Sequence, residues 1–396
     1  MNKKPTLFLY CQHSLGMGHL RRSIEIAKAL ISRFRVVFIN GGRIPEAIPR
    51  PEGIEFIDLP ALGMATNGVL ISYSKEFDVT ATKEVRKQII LEQFHNLQPD
   101  VLLVELFPFG RKKFAYELLP LLRSAKQSQS KPLIICDLRD ILVDGRKDQQ
   151  HFDDRACWIT QRYFDAVLIH SDPKFSCLEE SFKPRIPLTT PVLYTGFVTG
   201  DTEINGDFDR NPGIVISAGG GNVGSALFQN AIKVQARIWQ QYRMPMSIVT
   251  GPFLPETEWH RLRQQAQNLQ GLKLYRTIPD LKCLLQYATA SISQCGYNTT
   301  MDLLRTRVPA LLVPFADEGE NEQTKRALKL EKLGVVRVLA AENLTPDILF
   351  QEINSLLLFK PKPITLQMDG ANKSTEIIFG LLENISKRSG EISYVA

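Results

Sequence analysis

No run of eighteen apolar residues occurs in the 396-residue chain, so no segment reads as a membrane-spanning helix. Cysteine is scarce. The six residues Cys11, Cys136, Cys157, Cys177, Cys283 and Cys295 form no CxxC, and none stands at metal-ligand spacing with a histidine. Several lie in apolar runs, where cysteine behaves as a small hydrophobe, and this usage fits a reducing compartment. Excess charge is also slight. The formal net charge is +6, with 27 Lys and Arg against 22 Asp and Glu in residues 1–200. No basic stripe interleaved with aromatics appears, so nucleic acid is not an expected partner. The N-terminal apolar run, residues 6–11, is too short for a signal sequence. The expected setting is the cytosol, or the inner face of the membrane as a peripheral contact. HExxH, GxSxG and Walker A patterns are missing, which removes metalloprotease, α/β-hydrolase and P-loop readings. A DxD formed by Asp207, Phe208 and Asp209 falls in a polar linker and reads as chance. Neither a metal nor a cofactor is expected.

What is present is an α/β grammar. Residues 6–11 (TLFLYC) read as a strand, followed by a glycine turn and a helical face of Leu20, Ile24, Ala27 and Leu30. Residues 36–39 follow as a second strand. Near-continuous apolar runs at 100–106, 132–136 and 166–170 suit strands covered on both faces. The polar stretch 199–213 reads as a boundary. The grammar then restarts with a strand at 213–217, a glycine-rich turn at 218–225 and a helix at 226–242, with later strands at 247–250, 272–275, 290–293 and 310–313. The expected architecture is two Rossmann-like domains, 1–200 and 201–364, with a C-terminal helical segment, 365–396, packing back toward the first.

Three motifs carry chemistry. Gly219-Gly220-Gly221-Asn222-Val223-Gly224 is a GxGxxG between strand and helix, able to hold a diphosphate on backbone amides. No Asp or Glu occurs between Asp209 and Glu256, which counts against a dinucleotide; the alternative is a tight turn. In Gly16-Met17-Gly18-His19, His19 stands at a helix N-terminus facing the carboxyl end of the sheet. It is a candidate general base or a mere capping residue. Arg21 and Arg22 oppose the helix dipole there, a placement that an anion would relieve. Residues 293–304 (SQCGYNTTMDLL) and 314–324 (PFADEGENEQT) form two loops expected to face the same crevice as the glycine turn.

The run 293–334, SQCGYNTTMDLLRTRVPALLVPFADEGENEQTKRALKLEKLG, resembles the C-terminal domain of glycosyltransferase family 28, the MurG-type transferases. The GMGH turn resembles their N-terminal domain. The resemblance implies a GT-B fold, two Rossmann-like α/β domains facing across a cleft. It also implies inverting, metal-independent transfer of a hexose or N-acetylhexosamine from a nucleotide-diphosphate sugar, UDP-linked, to an acceptor hydroxyl. By position, Gly219, Gly220, Gly221 and Asn222 would hold the donor diphosphate. Asp302 matches the ribose-binding carboxylate, with Asp in place of Glu. Gly296, Tyr297, Asn298 and Thr299 match the loop beside the donor phosphate and sugar. Gln323 matches one of two sugar-contacting glutamines; Glu322 stands where the other would be, and Asn321 belongs to the same donor loop. His19 matches the N-terminal histidine of the GGH turn, a candidate base or acceptor-phosphate contact. The acceptor side is assigned to Gly16, Gly18, Arg21, Arg22, Glu105 and Arg139, with a lipid-linked or phosphorylated acceptor.

Two clusters at strand ends complete the reading. Glu105 and Arg111 follow one strand, and Asp137, Arg139 and Asp140 follow another. They suit an anionic acceptor, with Asp137 and Asp140 as reserve bases; the alternative is an internal ion pair of Glu105 with Arg139 or Arg111. Segment 110–131 carries Arg111, Lys112, Lys113, Arg123, Lys126 and Lys131 among leucines. It reads either as a membrane-surface patch or as a helix packed on the sheet with a solvated basic face. A nucleotide-sugar epimerase of this fold and a non-catalytic nucleotide-sugar-binding protein are the competing functions.

Overall fold

A computed structural model describes residues 4–13, 18–45, 48–65, 68–200, 209–221, 223–278, 280–315 and 321–392, with the backbone alone at 386 and 388–392. The first half contributes β1 (Thr6–Cys11), β2 (Arg35–Asn40), β3 (Ile54–Asp58), β4 (Leu62–Met64), β5 (Leu70–Ser72), β6 (Val101–Glu105), β7 (Leu133–Arg139), β8 (Ala166–His170) and β9 (Val192–Tyr194). Seven of these form a parallel sheet in the order β3-β2-β1-β6-β7-β8-β9, and β4 and β5 pair as a small antiparallel hairpin. The second half supplies β10 (Ile214–Ser217), β11 (Met246–Val249), β12 (Leu272–Tyr275), β13 (Ala290–Ser293), β14 (Ala310–Leu312) and β15 (Arg337–Val338), a parallel sheet in the order β12-β11-β10-β13-β14-β15.

The helices are α1 (Gly18–Leu30), α2 (Val79–Leu97), α3 (Ala115–Gln127), α4 (Gln149–Tyr163), α5 (Ser225–Tyr242), α6 (Glu256–Ala266), α7 (Leu281–Leu285), α8 (Tyr297–Thr306), α9 (Glu322–Lys332), α10 (Pro346–Leu356) and α11 (Gly370–Ile392). They cover both faces of each sheet. Along β1, Phe8 and Tyr10 join the core under α2 and α3, while Leu7, Leu9 and Cys11 join the one under α1 and α11. Side chains alternate across a strand, so a strand buried on both sides must be apolar at nearly every position. That is why these runs are continuous rather than alternating.

In each sheet the strand order reverses beside its first strand, between β1 and β6 and between β10 and β13. Open parallel sheets bind ligands at the carboxyl ends of the strands at such a reversal. The chain also returns to its beginning. α11 lies against α1, with Ile378 buried and Phe379 edge-on to Phe34 at 5.9 Å between ring centroids.

Candidate active site

The glycine turn after β10 opens onto a cavity of about 1180 Å³, open mouth included. Its wall takes Gly219, Gly220 and Gly221 from the turn, Gly296, Tyr297, Asn298, Thr299 and Asp302 from the start of α8, Gln323 from α9, and Gly18 and Arg21 from α1 of the opposite domain. Left-handed φ angles of +57° at Gly219 and +93° at Gly221 shape the turn. A Cβ at Gly221 would stand 2.2 Å from the Thr250 carbonyl oxygen, so this position admits only glycine. A Cβ at Gly219, Gly296 or Gly18 would meet no atom within 4 Å; these three backbones face open space.

The first turns of α1, α5 and α8 carry no acidic residue. The Gly296 N-cap of α8 makes no side-chain capping bond. Free amides and the positive ends of helix dipoles therefore meet Arg21 at the cavity wall, the electrostatics of an anion site. Farther along α8, burial pushes the Asp302 carboxyl up to about 7, and Asp280 adds to this; Arg21, Lys282 and Arg305 oppose it. Thr277, Ile278, Leu281 and Pro252 complete that end of the wall.

Behind α1 lies a second group. The Nδ1 of His19 sits 2.5 Å from Oε1 of Glu105, whose side chain is fully buried at the end of β6. Arg22 donates to the same oxygen at 2.6 Å. With the carboxylate at Nδ1, that nitrogen carries the proton and Nε2 keeps the lone pair. Burial drives the His19 pKa below its ordinary value against the pull of Glu105, and the Arg111 charge adds to the lowering. Burial alone would raise the Glu105 carboxyl, but His19, Arg111 and Arg22 together hold it ionised. The result is a neutral imidazole, 19% exposed, oriented by a fixed carboxylate.

Residues 215–378 match the glycosyltransferase family 28 C-terminal domain. A UDP-N-acetylglucosamine–N-acetylmuramyl-(pentapeptide) pyrophosphoryl-undecaprenol N-acetylglucosamine transferase of Lactobacillus johnsonii is 25% identical over 336 residues, 84% of each chain. The second half of the chain therefore carries a family 28 C-terminal domain, and the chain along most of its length is similar to MurG-type glycosyltransferases. Its two-domain GT-B fold is shared with MurG of Acinetobacter baumannii, with a TM-score of 0.52 and 15% identity over 96% of this chain and 100% of that one. The calicheamicin glycosyltransferase CalG4 has a TM-score of 0.58 and 14% identity, covering 100% of this chain and 98% of its own.

The structure gives several of the assigned site residues contacts of their own. Arg21, assigned to the acceptor, lines the cavity of the glycine turn, because its position in the first turn of α1 aims it across the cleft. Arg139 instead forms an ion pair with Glu322 across the domain boundary, Nη2 to Oε2 at 2.5 Å. Asn321 is absent from the cavity wall and donates to Asp144 at 2.8 Å. The Tyr297 hydroxyl accepts from Val198 N–H at 2.9 Å and donates to the His170 carbonyl at 3.2 Å, so its ring ties α8 to the first domain. Neither reserve base is free: Asp137 is bonded to His170, and Asp140 takes a two-pronged bond from Arg326. Gln323 Oε1 accepts from Cys295 and Phe315 N–H, each at 3.1 Å. Asn222 and Gly16 lie outside the described residues, as do Asp207 and Phe208 of the DxD.

The leucines of α3 do not form a surface patch. Leu118, Leu121 and Leu122 are buried in the core of the first sheet, which leaves Lys112, Lys113, Arg123, Lys126 and Lys131 as a solvated face, while Arg111 turns inward to Glu105. Among the described residues, no helix is long and apolar enough to cross a membrane. Sequence reasoning passed over Gly251, whose φ of +92° lets its backbone touch Gly219 and Gly220. Its position just after β11 was the available signal. It also passed over Arg326, fully buried on α9, whose partner Asp140 is 186 residues away.

Proposed function

We propose that this glycosyltransferase moves a hexose or N-acetylhexosamine from a UDP-sugar to an acceptor hydroxyl with inversion, and that His19 is the base. One observation carries the reading. The helix that presents His19 begins at Gly18, and Gly18 and Arg21 line the same cavity as the glycine turn. His19 therefore stands between two wall residues of the anion site, on the same first helical turn, without itself being part of that wall.

In the reaction, Nε2 of His19 takes the acceptor O–H proton while the acceptor oxygen bonds to the anomeric carbon. The bond from that carbon to the diphosphate oxygen breaks, and its electron pair leaves on the UDP. Amides of the glycine turn and of the α8 N-terminus, with Arg21, stabilise the departing charge. Asp302 suits the ribose hydroxyls, and Ile278, Leu281 and Pro252 suit the apolar faces of the nucleobase. The Lactobacillus relative is named for a UDP-N-acetylglucosamine donor and a pyrophosphoryl-undecaprenol acceptor. Glu322 departs from the expected second glutamine, and its engagement by Arg139 leaves Gln323 as the sugar-facing amide.

The test is thermal stabilisation by UDP, dTDP, GDP and NAD. Ligand at 100 times its Kd adds about 2.7 kcal/mol of stability. A selective shift with UDP that Asp302→Ala weakens supports the reading; no shift with any nucleotide overturns it. Sedimentation with anionic liposomes then separates a lipid-linked acceptor system from a soluble one.

A further inference from the structure

Tyr297 opens α8, the helix whose N-terminus faces the cavity of the glycine turn. Its side chain nevertheless reaches into the first domain. The residue is 6% exposed, and its hydroxyl is held by Val198 N–H and the His170 carbonyl. Two guanidiniums lie over the ring, Arg22 at 5.6 Å and Arg326 at 6.0 Å from its centroid. Both distances are within cation–π range. The next residue, Asn298, donates Nδ2 to the Gly18 carbonyl at 3.3 Å. The helix of the anion site is thus fastened to the helix that carries His19.

The two arginines are fixed differently. Arg326 is clamped, donating to both oxygens of Asp140 and to the Cys295 carbonyl. Arg22 donates from Nη2 to Oε1 of Glu105, while its Nε is buried without a partner among the described residues. A guanidinium held so sparsely takes its orientation from what stacks on its plane. For Arg22 that is the Tyr297 ring. The Glu105 oxygen it reaches is the one 2.5 Å from Nδ1 of His19. A continuous run of contacts therefore leads from the α8 N-terminus through ring, guanidinium and carboxylate to the imidazole.

We propose that the Tyr297 side chain is a positioning residue for this reaction. By seating Arg22 on Glu105, it sets the orientation of His19 relative to the amides that receive the diphosphate. This rests on the transferase reading of His19 and deepens it. Tyr297 moves no proton; its side chain acts through Arg22. Reacting groups are sensitive to such support, since a misplacement of about 1 Å costs about 10²-fold in rate.

Two variants and two readouts test the proposal. Tyr297→Leu keeps an apolar side chain but removes the π face. Tyr297→Phe keeps the face and loses only the hydroxyl bonds. With UDP-N-acetylglucosamine as donor and water as slow acceptor, Tyr297→Leu is expected to lower kcat for UDP release by about tenfold or more, with KM changed less than about threefold. Tyr297→Phe is expected to stay within about threefold of wild type in both. The second readout needs no turnover. The His19 Nδ1 proton, held against Glu105, is expected as a slowly exchanging downfield proton resonance, identified by its loss in His19→Ala. It is expected to exchange with water in Tyr297→Leu and to persist in Tyr297→Phe. The proton shared by His170 and Asp137 reports on the fold and should survive in both. If Tyr297→Leu loses that signal too, Tyr297→Met, which also lacks a π face, takes its place. An unchanged kcat, or a lowered kcat with the His19 proton intact, overturns the proposal. So does a raised KM at constant kcat, which makes the ring a donor contact instead. Failure of the underlying transferase reading looks different: wild type then releases no UDP, while the His19 resonance still answers to Tyr297.

Discussion

Glu105 is where one substitution reaches the greatest number of partners. Its fully buried carboxylate faces His19, Arg22 and Arg111. Glu105→Gln removes one of the two carboxylates that face buried Arg22, Asp137 being the other, and removing one partner of a buried pair costs about 3–5 kcal/mol. Chemical unfolding of the two proteins measures that loss directly. His19→Ala acts differently. It removes proton transfer, worth about 10²–10⁴-fold, but leaves UDP binding intact, because the donor cavity touches α1 only at Gly18 and Arg21. Release of UDP from UDP-N-acetylglucosamine, with water as slow acceptor, reads the loss; turnover equal to wild type rejects His19 as the base. The imidazole also predicts a pH profile. Burial depresses its pKa, so the base form persists below the ordinary histidine value of about 6.5. The acid limb of the rate profile is expected below pH 6, and a midpoint near 6.5 or above contradicts the environment described for His19.

At the scale of elements, α9 acts as a strap between domains. Glu322, Lys325, Arg326 and Lys329 share one face and bond respectively to Arg139, Asp144, Asp140 and Glu180 of the first domain. The exposed pairs contribute little. The Arg326–Asp140 pair is fully buried, and Arg326→Met strands Asp140 at a cost of about 3–5 kcal/mol. The double variant Arg326→Met with Asp140→Leu removes both charges and is expected to recover much of that loss. Purely additive destabilisation in a double-mutant cycle contradicts the pairing.

Elements differ in how plainly they can be read. Four strands, Thr6–Cys11, Ala166–His170, Leu272–Tyr275 and Ala290–Ser293, have the bounds their apolar runs suggest. The strands passed over are sheet edges or very short. β3 (IEFID) carries charge and is half-exposed, β9 has three residues and β15 two. An edge strand is held by one neighbour and needs no continuous apolar run. The glycine turn, Asp302 and His19 stand out because each belongs to a contiguous motif. The Arg22–Glu105 bond spans 83 residues and the Arg326–Asp140 bond 186. No local pattern announces such partners; only folding pairs them.

For the whole molecule, the carboxyl of Asp302 links stability to pH. Its pKa of about 7 in the folded state exceeds the ordinary aspartate value of about 3.9. Between these values the folded protein holds a proton that the unfolded chain releases, so stability falls as pH rises from about 4 to 7 and is level above. Allowing for its partial exposure, the contribution is on the order of 1–2 kcal/mol. Asp302→Asn should flatten that slope. Urea midpoints at pH 5 and pH 8 check it, and an identical pH slope in the variant contradicts the role given to Asp302.

The return of α11 to α1 bears on how this enzyme can be re-engineered. The chain passes from the first domain to the second and back again, ending against Phe34. A graft that imports a relative's second domain at residue 213 would also import a foreign terminal helix and a foreign α9. Both would meet Asp140, Asp144, Glu180 and an α1 surface for which they were not shaped. The exchangeable module is therefore discontinuous: it runs from the glycine turn through α10, with the strap residues of α9 and the whole of α11 retained from the host.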